Sequence, residues 1–139
     1  MSAQPETKCA DKVAAALESR LEDLRIIWPA YQAGQEVPED TGLGPWDEYA
    51  LAFDYVEAGT FSGQGSGYFR YQISTGGPGE EVRFYSDAAL SLDRIEFWYL
   101  DWYDDAHVEP AGADGELLAE IWEFFVEVGT VQYLLDQAE

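Results

Sequence analysis

The chain has 139 residues, of which 47% are hydrophobic and 15% aromatic, and it carries 28 Asp and Glu against 7 Lys and Arg, a formal charge of -21. That much apolar and aromatic content supplies a core and excludes an acidic disordered tail, and the length fits one domain, residues 1–139. The charge excludes direct binding to duplex DNA or to an anionic bilayer, because both would repel it.

The one cysteine, Cys9, allows no intrachain disulfide and fits a reducing cytoplasm. No run approaches 18 apolar residues, so no transmembrane helix is expected, and the first residues show no basic-then-apolar leader pattern. The charge is uneven. Residues 1–25 hold five acidic and four basic side chains, and residues 34–69 hold seven acidic and none basic. Residues 70–94 hold four acidic side chains with Arg70, Arg83 and Arg94, and residues 95–139 hold twelve acidic and none basic.

Taken along the chain, Val13, Leu17, Leu21, Leu24 and Trp28 recur at three- and four-residue steps. They predict an N-terminal helix that ends near Trp28, where Pro29 interrupts the hydrogen-bond ladder, or that restarts there as a short turn. Gly34 to Pro45 is loop chemistry. Four strands are predicted from alternation: Glu48–Glu57, Tyr68–Thr75, Glu81–Ser86 and Leu92–Tyr103. In the second, Phe69, Tyr71 and Ile73 oppose Arg70 and Gln72. In the fourth, Ile95, Phe97 and Tyr99 oppose Trp98, Leu100 and Trp102. Glycine-rich turns join these strands into an antiparallel meander. A closing helix runs from an Asp114 cap to a stop at Gly129, with an apolar stripe of Leu117, Leu118, Ile121, Trp122, Phe125 and Val128; a short helix follows over 130–137. The expected fold is α+β, a four-stranded antiparallel meander flanked by N-terminal and C-terminal helices.

Candidate sites follow from four patterns. Asp101, Asp104, Asp105 and His107 fall within seven residues and supply oxygen ligands for a divalent cation, but the spacing of a calcium loop is absent, so a solvated strand end is favoured and no metal is assigned. No nucleophile–base pairing, phosphate loop or dinucleotide fingerprint is present, so no catalytic residue and no cofactor are assigned, and the chain is not expected to be an enzyme. Large rings on both faces of the fourth strand mean that the helices cover opposite faces, that the sheet curls, or that Trp98 and Trp102 form an exposed anchor for a partner. Finally, Glu116, Glu120, Glu123 and Glu127 form one row at helical spacing, with neighbours about 5–6 Å apart. Such a row imitates strand phosphates, whereas ordinary helix faces mix their charges. Salt adaptation is the rival explanation, and the nearly balanced N-terminal helix speaks against it.

The segment Gly76-Gly77-Pro78-Gly79-Glu80-Glu81-Val82-Arg83-Phe84-Tyr85, with Arg94-Ile95-Glu96-Phe97-Trp98-Tyr99-Leu100-Asp101-Trp102-Tyr103-Asp104, resembles small acidic proteins carried by phages and mobile elements. In size and charge the chain is similar to DNA-mimic inhibitors of the anti-CRISPR and anti-restriction type. That class is defined by charge, so the resemblance implies an anti-defence role and assigns no residue. The expected function is a stoichiometric inhibitor that occupies the nucleic-acid groove of a basic defence complex. Glu116, Glu120, Glu123, Glu127, Asp101, Asp104 and Asp105 would meet the partner's cations, and Trp98, Trp102 and Tyr103 would add apolar contact. An immunity protein that neutralises a basic nuclease toxin is the alternative, a metal-binding or enzymatic domain comes third, and a homodimer is left open.

Overall fold

The computed structural model describes residues 9–61, 63–75, 78–101 and 104–138. Trp102 and Tyr103 therefore lie outside the described residues. The order is α1 (Cys9–Gln32), a single 3-10 turn (Glu39–Thr41), α2 (Trp46–Tyr49), β1 (Ala52–Val56), β2 (Tyr68–Ser74), β3 (Gly79–Ser86), β4 (Leu92–Asp101), β5 (Asp104–Val108), α3 (Gly112–Glu127) and α4 (Thr130–Ala138). The strands form one antiparallel meander in the order β1-β2-β3-β4-β5. No helix among the described residues is long and apolar enough to cross a membrane.

The α+β meander flanked by helices is as expected, but it has five strands instead of four. The added strand, Asp104–Val108, pairs with β4 from Phe97↔Val108 to Asp101↔Asp104. It is a short, charged edge strand, a composition that discourages pairing with other chains and that also conceals it from a search for apolar alternation.

Two boundaries also move. The expected strand start at Glu48 is helical: Trp46 is buried against Trp28 (ring centroids 4.7 Å) and Tyr71 (5.5 Å). The Tyr49 hydroxyl donates to Asp23 at 2.6 Å and accepts from Arg20 at 3.2 Å. Those contacts tie one helical turn to α1. In addition, α1 does not end near Trp28. It passes through Pro29, and the Ala33 N–H still reaches the Pro29 carbonyl at 3.0 Å. A proline inside a helix costs about 3 kcal/mol; the packing of Trp28 and Tyr31 on Trp46 and Phe124 offsets it.

Pleating puts Phe53, Tyr55, Phe69, Tyr71, Val82, Phe84, Ile95, Phe97, Ala106 and Val108 on one face, and all of them belong to the core or pack against it. All the long helices cover this same face. α1 lies over β4 and β5, and α4 beside β1. Trp122 of α3 meets Phe69 at 5.2 Å and Phe84 at 5.5 Å, while Phe125 stacks on Phe53 at 4.0 Å. The expected apolar stripe of α3 holds except at its end, where Val128 is exposed. The expected cap also shifts. α3 begins at Gly112, and Asp114 sits in its first turn, paired with Arg25 of α1.

Two local features fix the strand connections. A Cβ on Gly67 would come within 2.3 Å of the Tyr55 hydroxyl and 3.1 Å of the Val56 carbonyl, so a larger residue before β2 would displace the Tyr55 ring. Leu90, in the turn from β3 to β4, has φ 68, a left-handed conformation unusual for leucine. Its carbonyl accepts the Trp122 indole N–H at 3.0 Å, which holds the turn in place. Trp122→Ala would remove both the ring packing and this bond. Loss of about 3–5 kcal/mol is expected, read as a lower urea midpoint in equilibrium unfolding followed by circular dichroism.

Candidate functional site

Two surfaces concentrate chemistry, and they lie on different sides of the molecule. The first follows α3. Its 3.6-residue period places Leu118, Ile121 and Trp122 in the core and leaves Glu116, Glu120, Glu123 and Glu127 exposed. All five arginines of the chain are engaged in intramolecular ion pairs: Arg20 with Glu80, Arg25 with Glu18 and Asp114, Arg70 with Asp54, Arg83 with Glu81, Arg94 with Glu96. None of the four glutamates has a cationic partner among the described residues. Beside the row, Trp28, Tyr31, Gln32 and Phe124 line a shallow groove of about 550 Å³ with Glu120, Glu123 and Glu127. The Trp28 indole N–H donates to Glu120 at 3.3 Å, and Tyr31, which is 42% exposed, meets Phe124 edge-on at 5.7 Å. The result is an acidic ridge along an aromatic trough. It can seat a cationic side chain whose alkyl stem lies on the rings while its head meets a carboxylate.

The second surface is the face of the sheet that no long helix covers. Here Tyr68, Arg70, Glu81, Arg83, Tyr85, Arg94, Glu96, Trp98, Asp105 and His107 line a concavity of about 630 Å³, and residues 61 and 63–66 of the β1–β2 connection form its rim. Planar groups stack across the strands. Arg83 lies over Tyr68 at 4.5 Å and over Trp98 at 3.9 Å, and Trp98 stacks on His107 at 4.3 Å. Arg94 lies over Tyr85 at 3.7 Å. Two carboxylates are buried beneath them. Glu81, 3% exposed, accepts from Arg83 Nε at 2.6 Å. Glu96, 6% exposed, accepts from Arg94 Nε at 2.8 Å and from the Trp98 indole at 2.9 Å, with His107 Nε2 3.9 Å away. Burial pushes the Glu96 carboxyl up. Hydrogen bonds from Arg94, Trp98 and Tyr85 outweigh it, so the group sits below its ordinary value. The Tyr68 hydroxyl is buried with no hydrogen-bond partner among the described residues.

The structure does not bring the residues selected from sequence into one surface. The glutamate row is on α3. Asp101 and Asp104 face each other at the closed end of the β4–β5 hairpin. There Asp104 accepts the Cys9 backbone N–H at 2.8 Å and closes the start of α1, where a carboxylate complements the helix dipole. Burial and then this same carboxylate push the Cys9 thiol above its ordinary value. Nineteen residues of α1 separate that end from Trp28 and Glu120, about 28 Å at 1.5 Å per residue. Asp105 and Trp98 are elsewhere again, on the uncovered face, and Trp98 is half-buried between Arg83 and His107 instead of standing free. Alternation along β5 splits the 101–107 run, and among the described residues no three His, Cys, Asp or Glu side chains converge as a metal site requires. Sequence reasoning missed Trp28, Tyr31 and Phe124 as groove residues, and Arg70, Arg83 and Arg94 as a cluster. Only the shared parity of the arginines with Trp98, opposite the apolar positions, signalled the cluster.

No known protein family matches the chain, and neither a curated protein nor a solved structure matches it.

Because the folded-state value of Glu96 is depressed, its contribution to stability is fully present above its ordinary value of 4.5 and is lost as pH falls through the lower, folded value. The stability gap between the chain and Glu96→Gln should therefore be constant above about pH 5.5, one pH unit clear of that value, and narrow below it. Urea titrations from pH 7 to pH 3 would show this; a gap unchanged at pH 3 would mean that the carboxylate is not held by its hydrogen bonds.

Proposed function

We propose that the chain is a stoichiometric protein inhibitor whose α3 ridge occupies the nucleic-acid groove of a basic partner, as a DNA mimic of the anti-CRISPR or anti-restriction type. One observation carries this reading: four aligned, exposed carboxylates with no cationic partner among the described residues stand beside an open aromatic trough. The carboxylates meet Lys and Arg of the partner, and Tyr31 and Phe124 receive their apolar stems over the buried Trp28. Aromatic contact thus comes from α1 and α3, and Trp98 is not required for it. The chain binds no nucleic acid directly, uses no cofactor, and acts in the cytoplasm where such complexes work.

The length of the ridge favours a second reading. Glu116 to Glu127 spans eleven residues, about 16 Å. Duplex DNA presents one charge per about 1.7 Å, so an equal length of duplex carries roughly ten charges against the four of the ridge. That match suits the mouth of a single active site better than a long duplex channel. An immunity protein that caps a basic nuclease toxin uses the same physics on such a target.

The test is affinity capture from bacterial lysate with the tagged chain and with the variant Glu116→Gln, Glu120→Gln, Glu123→Gln, Glu127→Gln. The variant should unfold at an equal or higher urea concentration, because repulsion along α3 is relieved. The wild-type chain should retain a basic nucleic-acid-binding protein at about 50 mM salt and release it steeply as salt rises, whereas the variant should bind at least tenfold more weakly with a shallower salt slope. Equal retention by both would remove α3 from the interface. A defence complex in the eluate supports the first reading, and a single small nuclease the second.

A further inference from the structure

The uncovered sheet face is built differently from the rest of this acidic surface. Three of the chain's seven Lys and Arg residues converge there, and among the lining residues Arg70, Arg83 and Arg94 balance Glu81, Glu96 and Asp105. A solvated sheet face needs only alternating polar side chains. This one has two carboxylates, Glu81 and Glu96, less than a tenth exposed beneath stacked arginines and rings.

The wall is rich in donors. A guanidinium offers five N–H groups. Arg83 and Arg94 each give Nε to a carboxylate and also reach the Tyr85 hydroxyl, which holds the two planes in place while part of each five-donor fork still faces the concavity. Stacking on Tyr68, Trp98 and Tyr85 fixes the same planes from the side. His107, stacked on Trp98, adds a further ring nitrogen. Planar, oriented donors of this kind recognise an oxyanion, and two guanidiniums with an imidazole suit a phosphate monoester, which carries about -1.5 to -2 charge, better than a carboxylate. At the rim Phe61 is 50% exposed, a free aromatic face for a ring to stack on. The volume, about 630 Å³, is within the usual range for small-molecule sites.

We propose that this face binds a small phosphate monoester carrying a planar ring, of the mononucleotide class. Its phosphate meets the outward nitrogens of Arg83 and Arg94 beside the His107 ring, and its ring lies on Phe61. The site is separate from the α3 ridge, so its occupation neither requires nor excludes the inhibitor function.

The experiment is an NMR titration of the ¹⁵N-labelled chain with adenosine 5′-monophosphate, with adenosine and inorganic phosphate as separate probes. Saturable shifts confined to residues 61, 68, 83, 94, 98 and 107 are expected with the nucleotide. Phosphate should reproduce the shifts at the arginines more weakly, and adenosine should do little. Arg94→Gln, first shown by circular dichroism to keep the fold because it releases the buried Glu96 carboxylate, should weaken nucleotide binding at least tenfold, and Phe61→Ala, at a half-exposed rim position that pairs with no charge, should weaken the nucleotide but not phosphate. No saturable shift at 10 mM nucleotide, shifts scattered outside this face, or equal binding by Arg94→Gln would each overturn the proposal.

Discussion

Trp122 is fully buried against Phe69 and Phe84, and its indole N–H holds the Leu90 carbonyl at the turn between β3 and β4. This contact sets α3 across the sheet on the side already covered by α1. The large rings of β1, β2 and β3 that point the same way then join it in one cluster, in which Phe125 stacks on Phe53 and also meets Tyr71 and Trp46. The consequence is one-sided. A five-stranded sheet with all its long helices on one face must leave the other to polar and stacked side chains, and that face becomes the concavity lined by Arg70, Arg83 and Arg94.

The same arrangement accounts for how a chain of net charge -21 folds at all. Three of the five arginines pair across two elements. Arg20 joins α1 to β3 through both nitrogens of its fork, at 2.9 and 3.1 Å from Glu80. Arg25 joins α1 to α3, and Arg70 joins β2 to β1 at 3.0 and 2.7 Å from Asp54. Arg83 and Arg94 hold the two buried carboxylates of the open face. With its arginines engaged in these ion pairs, the chain has little to neutralise the carboxylates of α3. Their negative charge faces solvent, which repels other acidic molecules and attracts basic ones over several ångströms.

Much of this architecture is legible in the sequence, for physical reasons that differ by element. The α3 stripe is readable because Leu118, Ile121 and Trp122 all face one core, so period and burial coincide. β2, β3 and β4 are readable because apolar residues on the core side of each alternate with positions on the other side that include Arg70, Arg83, Arg94, Glu81 and Glu96. β5 is not readable, because at a sheet edge Asp104, Asp105 and His107 need no apolar alternation; pairing with β4 alone makes the strand. α2 is hidden because tertiary contacts of Trp46 and Tyr49 overrule an alternating pattern that continues into β1. The glutamate row of α3 is local in sequence and was visible. The trough beside it was not, since Trp28 and Phe124 meet only through the packing of α1 on α3. The arginine cluster depends on strand register in the same way: Arg70↔Arg83 and Arg83↔Glu96 become neighbours only when three strands pair.

The claim that matters most is which of the two surfaces meets the partner. Hydroxyl-radical footprinting of the chain, alone and in complex with the protein it captures, answers this through the reactivity of exposed rings. Tyr31 and Phe124 in the trough, Phe61 at the rim of the open face, and Tyr133 of α4, 61% exposed, report on three separate places. The account predicts that the complex protects Tyr31 and Phe124 and leaves Phe61 and Tyr133 as reactive as in the free chain. Protection of Phe61 with Tyr31 unchanged would contradict it and transfer the interface to the uncovered face of the sheet.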